Sequence, residues 1–156
     1  MPAYTTKIGH AHLKVRDVKR AEAFYTTYFD LNVTERVGDQ FIFLSGGEFH
    51  HEIALQGLGE GAPEPNAYGV GLYHVAFEVP DKTAFAQAYR ALRDGGVDVG
   101  AVDHVGISWA MYFNDPDGNG LEIYVDTRHE YESGTLWLGR NRRLTDAQIN
   151  TELETA

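Results

Sequence analysis

Three residues, His10, His74 and Glu122, have side chains suited to share one metal ion. Two neutral imidazoles and one carboxylate are a ligand set that leaves half of a metal's coordination sphere open to other ligands. The two histidines lie in stretches that repeat one pattern, in which a His stands seven residues before an Asp and a Val two before that Asp. Because the stretches are 64 residues apart, we expect equivalent positions in two related modules.

The first module is predicted over about 8–56. A strand at 8–16 leads to a helix that begins after Asp17, a good N-cap, and extends to about Phe29 with apolar residues at helical spacing. Three strands should follow, separated by glycine-containing turns, at about 31–37, 40–45 and 50–56. This order of elements is βαβββ.

The second module repeats this order over about 71–126. A strand at 72–79 precedes a helix capped by Asp81, and strands are expected at about 97–102, 107–114 and 120–126. The Gly- and Pro-rich stretch 57–70 should be the linker, and the polar tail, 127–156, includes a helical pattern over 145–154. The predicted fold class is α+β, with both modules in one domain that forms a half-barrel around a central cavity.

Strand periodicity places the three candidate ligands on similar faces. Successive residues of a strand point to opposite sides of a sheet. His10 shares a face with the polar His12, His74 shares one with Glu78, and Glu122 shares one with Tyr124. The opposite faces are apolar and suited to cover by the helices, so the ligand faces are free to line a cavity.

Composition restricts the partners and the location. The chain has 156 residues, a formal net charge of −10 and no cysteine. The negative charge disfavours nucleic-acid backbones and anionic membranes, and no apolar run has the roughly 20 residues that a membrane span needs. Without cysteine there are no disulfides or thiolate metal sites, so a cytoplasmic location is expected.

The paired modules, the repeated His…Val-x-Asp pattern and the Asp115–Glu122 hairpin together resemble the vicinal oxygen chelate superfamily. Within it, His51-Glu-Ile-Ala-Leu55 and Tyr112 resemble motifs of the type I extradiol ring-cleaving dioxygenases, in a small single-domain form. The resemblance implies that His10, His74 and Glu122 bind Fe(II), that His51 is the acid–base catalyst and that Tyr112 donates a hydrogen bond to substrate. It also implies oxidative cleavage of a small aromatic diol by O2, and homo-oligomerisation.

Other residues are assigned less closely by this resemblance. The family's His-Gly-Val-Ser is here His104-Val-Gly-Ile-Ser108, with one extra residue, so His104 is a weaker candidate for substrate positioning. Some relatives hold a substrate carboxylate with an arginine of the tail, for which Arg142 and Arg143 are candidates. His50 and His129 are expected to be surface residues.

Alternatives to this function remain open. Strict alternation along 51–56 would point Glu52, rather than His51, to the ligand face, unless a bulge intervenes or the strand begins after His51. Glu52 would then be a fourth ligand, which resembles the glyoxalase-like lyases and isomerases. Mn(II) accepts the same ligand set as Fe(II). A metal-free binding protein is a third hypothesis, which the complete triad disfavours.

Overall fold

The computed structural model describes residues 4–130 and 136–154. The first three residues of the predicted N-terminal arm, and residues 131–135 and 155–156 of the predicted tail, lie outside this part. The chain divides into two compact units, Met1–Pro65 and Asn66–Ala156. The boundary falls inside the predicted linker. Among the described helices, none is long and apolar enough to cross a membrane.

The first unit is a four-stranded mixed sheet covered by one helix. Its elements are β1 (Ala11–Val15), α1 (Val18–Tyr28), β2 (Asn32–Val37), β3 (Phe41–Ser45) and β4 (Ile53–Gly57). The strand order is β1-β4-β3-β2, with β1 parallel to β4 and the other pairs antiparallel. The predicted βαβββ order is therefore confirmed for this unit.

Local chemistry explains where α1 begins and which face it buries. The Asp17 carboxylate accepts hydrogen bonds from the backbone N–H groups of Lys19 and Arg20, which have no partner within the helix. Burial of apolar side chains then holds the helix against the sheet. The buried residues of this core include Ala21, Phe24 and Tyr25 of α1 and Leu13, Val15, Ile42, Leu44 and Leu55 of the strands.

The second unit repeats this plan and extends it. Its elements are β5 (Val75–Glu78), α2 (Lys82–Asp94), β6 (Val102–His104), β7 (Ser108–Asn114), β8 (Gly120–Asp126), a 3-10 turn (Arg128–Glu130), β9 (Arg142–Arg143) and α3 (Asp146–Glu154). The strand order is β5-β8-β7-β6-β9, with β5 parallel to β8. Both sheets are open, as expected for half-barrel modules.

The turn between β7 and β8 fixes the start of the strand that carries Glu122. One carboxylate oxygen of the buried Asp115 accepts hydrogen bonds from the backbone N–H groups of Asp117 and Asn119, and the other accepts from the Asn119 side chain. Gly118 has a φ of 88°, which favours glycine. The predicted turn is confirmed, and the Asp115 carboxylate has a structural role in it.

Several predicted strand limits are wrong. β1 and β5 begin at Ala11 and Val75, so His10 and His74 stand immediately before their strands instead of inside them. The strand predicted at 97–102 forms only at Val102–His104. Gly100 and Ala101 both pair with Tyr112, since the Gly100 N–H donates to the Tyr112 carbonyl and the Tyr112 N–H donates to the Ala101 carbonyl. Two residues opposite one is the pairing of a β-bulge, which interrupts the regular ladder there.

The tail packs onto the second unit. β9 pairs with β6, and the helix predicted over 145–154 is confirmed as α3. Leu144 and Ile149 are buried, and the Tyr89 hydroxyl on α2 donates a 2.8 Å hydrogen bond to Asp146. The sequence did not predict β9, because two arginines carry no strand periodicity.

Candidate functional site

His74 and Glu122 lie together in the second unit. Nε2 of His74 is 2.7 Å from Oε2 of Glu122, and both side chains are largely buried, with 27% and 12% exposed. Burial raises the pKa of the Glu122 carboxyl, against the opposing effects of the His74 ring and a hydrogen bond from Tyr112. Nδ1 of His74 is buried and has no hydrogen-bond partner within the described chain. Unpaired buried polar atoms are uncommon, and they occur at functional sites.

Tyr112 completes this cluster from the neighbouring strand. It stands directly opposite Glu122 in the β7–β8 ladder, and its ring centroid is 5.6 Å from that of His74. Burial, followed by the negative charge of Glu122, raises the pKa of Tyr112 to about 12. The phenol therefore keeps its proton at neutral pH and acts as a hydrogen-bond donor.

A cleft of about 350 Å³ opens beside the cluster. His74 and Tyr112 line it, together with Asp98, Asn114 and Gly120. This volume lies within the range of small-molecule sites. Gly120 permits a close backbone approach, since a Cβ there would lie 2.1 Å from the Tyr73 carbonyl oxygen. The sequence analysis missed Asp98 and Asn114, which stand at or beyond the strand ends, where periodicity gives no signal.

The first unit brings His10 and His51 together. Their ring centroids are 4.5 Å apart, and His51 also contacts Phe43 at 4.9 Å. Burial, followed by the neighbouring His10, lowers the pKa of His51. Since β4 begins at Ile53, His51 precedes the strand, so strand alternation does not dictate the direction of its side chain. The dioxygenase hypothesis required a bulge or a strand that begins after His51, and β4 begins after it.

Glu52 has a structural role in the same unit. Its carboxylate accepts hydrogen bonds from the Gly46 N–H at 2.8 Å and from the Ser45 hydroxyl at 3.1 Å. These contacts stabilise the turn that follows β3. The glyoxalase-like hypothesis gives Glu52 to a metal instead, and these contacts disfavour it.

The structure does not bring His104 to the cluster of His74, Tyr112 and Glu122. His104 lies opposite Trp109 of β7, and Trp109 lies opposite Val125 of β8, so these three side chains share one face of the sheet. Tyr112 and Glu122 are on the other face. His104 lies on the face that α2 covers, and burial, followed by the positive charges of Arg142 and Lys82, lowers its pKa. The extra residue after His104 in the sequence was the signal for this difference.

The two tail arginines also lie on different faces. Arg143 pairs with Asp103, whose side chain shares the face of Tyr112, and the arginine Nε is 3.0 Å from the Asp103 carboxylate. Arg142 is opposite His104 and shares its face. Only Arg143 is therefore on the side of the sheet that carries Glu122.

The donor atoms of the second unit fit a divalent transition metal. An imidazole nitrogen and a carboxylate oxygen converge to 2.7 Å, and both atom types are ligands that Fe(II) and Mn(II) accept. Within neither unit do three or more described His, Asp or Glu side chains form a group that could hold a metal. His10 belongs to the other unit, so its membership in the ligand set stays a prediction.

Two curated relatives of this chain have dioxygenase names. The catechol-2,3-dioxygenase of Bacillus subtilis (strain 168) is 32% identical over 121 residues, which are 78% of this chain and 42% of that protein. The biphenyl-2,3-diol 1,2-dioxygenase 3 of Rhodococcus globerulus is 29% identical over 143 residues, 91% of this chain and 75% of that protein. The chain thus spans less than half the length of the first relative.

Structural comparison supports the same fold. A glyoxalase/dioxygenase from Nostoc punctiforme superposes with a TM-score of 0.68 at 22% identity, over 81% of this chain and 94% of that protein. The profile of the Glyoxalase/Bleomycin resistance protein/Dioxygenase superfamily matches residues 7–123, which include all three candidate ligands. The family predicted from the sequence is therefore confirmed, and the chain belongs to the Glyoxalase/Bleomycin resistance protein/Dioxygenase superfamily.

Proposed function

We propose that this protein is an Fe(II)-dependent extradiol dioxygenase that cleaves a catechol-type ring with O2. The observation that carries the proposal is the convergence of His74 and Glu122 beside Tyr112, at a cleft of suitable size. The names of the two dioxygenase relatives support the same reaction class. His10, at the repeat position of His74, would supply the third ligand.

Bound Fe(II) would supply the open coordination positions at which the two oxygens of a catechol and O2 come together. The chain's own groups hold and move protons around the substrate. The cleft holds the ring, and Tyr112 keeps its proton at neutral pH. With Glu122 bound to metal, Tyr112 would turn its hydroxyl from that carboxylate and donate its hydrogen bond to a substrate oxygen. Its cross-strand position opposite Glu122 keeps this donor next to the metal ligand.

His51 would act as the acid–base catalyst. It accepts a proton from a catechol hydroxyl and returns it when the oxygen–oxygen bond breaks. Burial lowers its pKa, so the neutral ring that is needed to accept a proton predominates at neutral pH. Because His51 precedes β4, the alternation of side chains along that strand does not fix the direction of its ring.

Glu52 favours this function over the glyoxalase-like alternative. That alternative needs Glu52 as a fourth ligand, but its carboxylate accepts hydrogen bonds from Gly46 and Ser45. Release of the carboxylate to a metal would leave the Gly46 N–H without this acceptor. We therefore give the site three protein ligands.

The test is turnover after anaerobic reconstitution with Fe(II). Catechol and biphenyl-2,3-diol are added, followed by 18O2, and the product is followed by its yellow absorbance and by mass spectrometry. We expect a ring-cleaved product that contains two 18O atoms. Bound iron without product from either diol, or a product with only one labelled oxygen, would overturn the proposal.

A further inference from the structure

A chain of three side chains runs through the first unit and ends at His51. Oε2 of Glu35, on β2, lies 3.1 Å from Nε2 of His50. Nδ1 of His50 lies 2.9 Å from Nδ1 of His51. His50 is exposed, as the sequence predicted, and it links an acidic residue to the candidate catalyst.

The order of donors and acceptors follows from the chemistry of each group. An ionised carboxylate only accepts hydrogen bonds, so Nε2 of His50 carries a proton and donates it to Glu35. A neutral imidazole carries one proton, so Nδ1 of His50 is left as an acceptor. Nδ1 of His51 must then carry the proton of the His50–His51 hydrogen bond. Nε2 of His51 is left with its lone pair.

We propose that Glu35 and His50 are positioning residues that hold His51 in the Nδ1–H tautomer, with Nε2 free to accept a proton. The catalytic consequence rests on the proposed function, because it makes His51 the base. The tautomer itself does not depend on that function. A histidine whose second nitrogen is tied to a partner in this way is held in both tautomer and ring orientation.

Packing restricts the rings in the same arrangement. The Phe43 ring contacts His50 at 5.5 Å and His51 at 4.9 Å, measured between centroids. The planes of His50 and His51 are nearly perpendicular, at 85°. Rotation of either ring would break the 2.9 Å contact between the two Nδ1 atoms, so Phe43 supports the hydrogen-bond chain from one side.

A doubly protonated His50 would reverse the order. It would donate from both nitrogens, make Nδ1 of His51 an acceptor and place the His51 proton on Nε2. His51 could not then act as a base through Nε2. The two orders predict opposite tautomers of one ring, which makes the proposal directly measurable.

The first experiment is nitrogen-15 NMR of the histidine rings in the full chain without added metal, at pH 8. The two ring nitrogens of each tautomer have different chemical shifts, and single His variants assign the seven histidines. We expect a protonated Nδ1 in His51 and a protonated Nε2 in His50. A His51 ring that is protonated on Nε2 would overturn the proposal.

Variants separate the hydrogen-bond chain from simple packing. His50→Phe keeps a ring beside Phe43 but removes the acceptor, so His51 should shift toward the Nε2–H tautomer. His50→Asn keeps an acceptor oxygen near the position of Nδ1 and should retain the native tautomer. An unchanged His51 tautomer in His50→Phe would contradict the proposal.

Kinetics test the consequence for catalysis. We expect His50→Phe to lower kcat roughly tenfold with little change in KM, and Glu35→Leu to lower it about threefold. His50→Asn should stay close to wild type. Glu48→Leu, which removes an exposed acid near His50 that has no described ion pair, is the control and should have no effect. If the wild type turns over no diol, the proposed function fails while the NMR result still decides the tautomer.

Discussion

The two units build the same sheet but place different chemistry at equivalent positions. In the first, His12 of β1 pairs with Ala54, which lies opposite Phe43; in the second, Ala76 of β5 pairs with Glu122, which lies opposite Tyr112. The histidine two residues earlier, His10 or His74, is common to both. The acid and the phenol therefore belong to one unit only.

The first unit has a different set of reactive groups. At the positions of Glu122 and Tyr112 it has Ala54 and Phe43, and its own polar group is His51, just before β4. Under the proposed function, the second unit would supply two metal ligands and a phenol donor, whereas the first would supply one ligand and the acid–base histidine. Five predictions compare the two units, with the expected losses of activity before the losses of stability and the largest of each kind first.

Removal of the acid should have the largest effect. Glu122→Ala deletes the only carboxylate of the proposed ligand set, so we expect kcat/KM to fall roughly 1000-fold and Fe(II) affinity to fall at least about tenfold. Turnover assays measure kcat/KM, and titration with Fe(II) measures the affinity. Asp94→Ala, which removes an exposed acid at the end of α2, should retain iron and activity. Full activity in Glu122→Ala would contradict the metal-binding role of this unit.

Removal of the base should affect turnover alone. His51→Ala should lower kcat roughly 100-fold, because a positioned acid–base group contributes about that much. Fe(II) affinity should be unchanged, since His51 is not a proposed ligand. His129→Ala is the control. A parallel loss of iron in His51→Ala would contradict a role in proton transfer alone and would make His51 a candidate ligand.

The tight backbone approach in the second unit predicts a large loss of stability. A methyl group at Gly120 would lie 2.1 Å from the Tyr73 carbonyl oxygen, so Gly120→Ala should lower the free energy of unfolding by about 3 kcal/mol. Urea denaturation measures this. Gly71→Ala is the matched control, because no atom lies within 4 Å of its added methyl. Equal stability of the two variants would contradict the close approach.

The residue equivalent to Gly120 in the first unit is Glu52, and it should matter for stability only. Glu52→Ala leaves the Gly46 N–H without its acceptor and removes one of the two acceptors of the Ser45 hydroxyl, the other being the Gly47 carbonyl. We expect a loss of about 2 kcal/mol in the free energy of unfolding, with unchanged Fe(II) affinity. A clear loss of metal affinity in a folded Glu52→Ala protein would restore the glyoxalase-like alternative.

The tail, which only the second unit has, predicts a smaller and pH-dependent effect. Tyr89→Phe removes the hydrogen bond to Asp146 and should cost about 1 kcal/mol at neutral pH. Burial, followed by Asp146, raises the pKa of Tyr89 in the folded protein. As pH rises, the Tyr89 hydroxyl therefore loses its proton in the unfolded chain before it does so in the folded protein. The difference in the free energy of unfolding between the wild type and Tyr89→Phe should be full below about pH 10. It should shrink as pH rises above that value.

The periodicity of the sequence was sufficient to predict the repeated βαβββ order of elements. The strands, both main helices and their caps at Asp17 and Asp81 follow from apolar spacing and from side-chain oxygens that accept N–H groups. The strand ends were less accurate, because His10 and His74 continue the alternating pattern without joining the ladder. The bulge at Gly100 and Ala101 depends on pairing with Tyr112, which local sequence does not encode.

The candidate site was only partly predictable. Alternation correctly placed Glu122 and Tyr124 on the half-buried face of β8, opposite the buried Leu121 and Ile123. It could not place His51 or His50, since both lie outside the strands. The link from Glu35 to His50 joins residues 15 apart in sequence. The expected homo-oligomer and cytoplasmic location stay predictions.

The most direct test of the proposed ligand set is the Fe(II) affinity of His10→Ala beside that of the wild type. Our account predicts one iron per chain in the wild type and a loss of at least about tenfold in affinity in the variant, as in His74→Ala. His12→Ala, the exposed neighbour on β1, should bind as the wild type does. Wild-type affinity in His10→Ala would show that His10 is not a ligand, and would contradict the proposed set of three ligands.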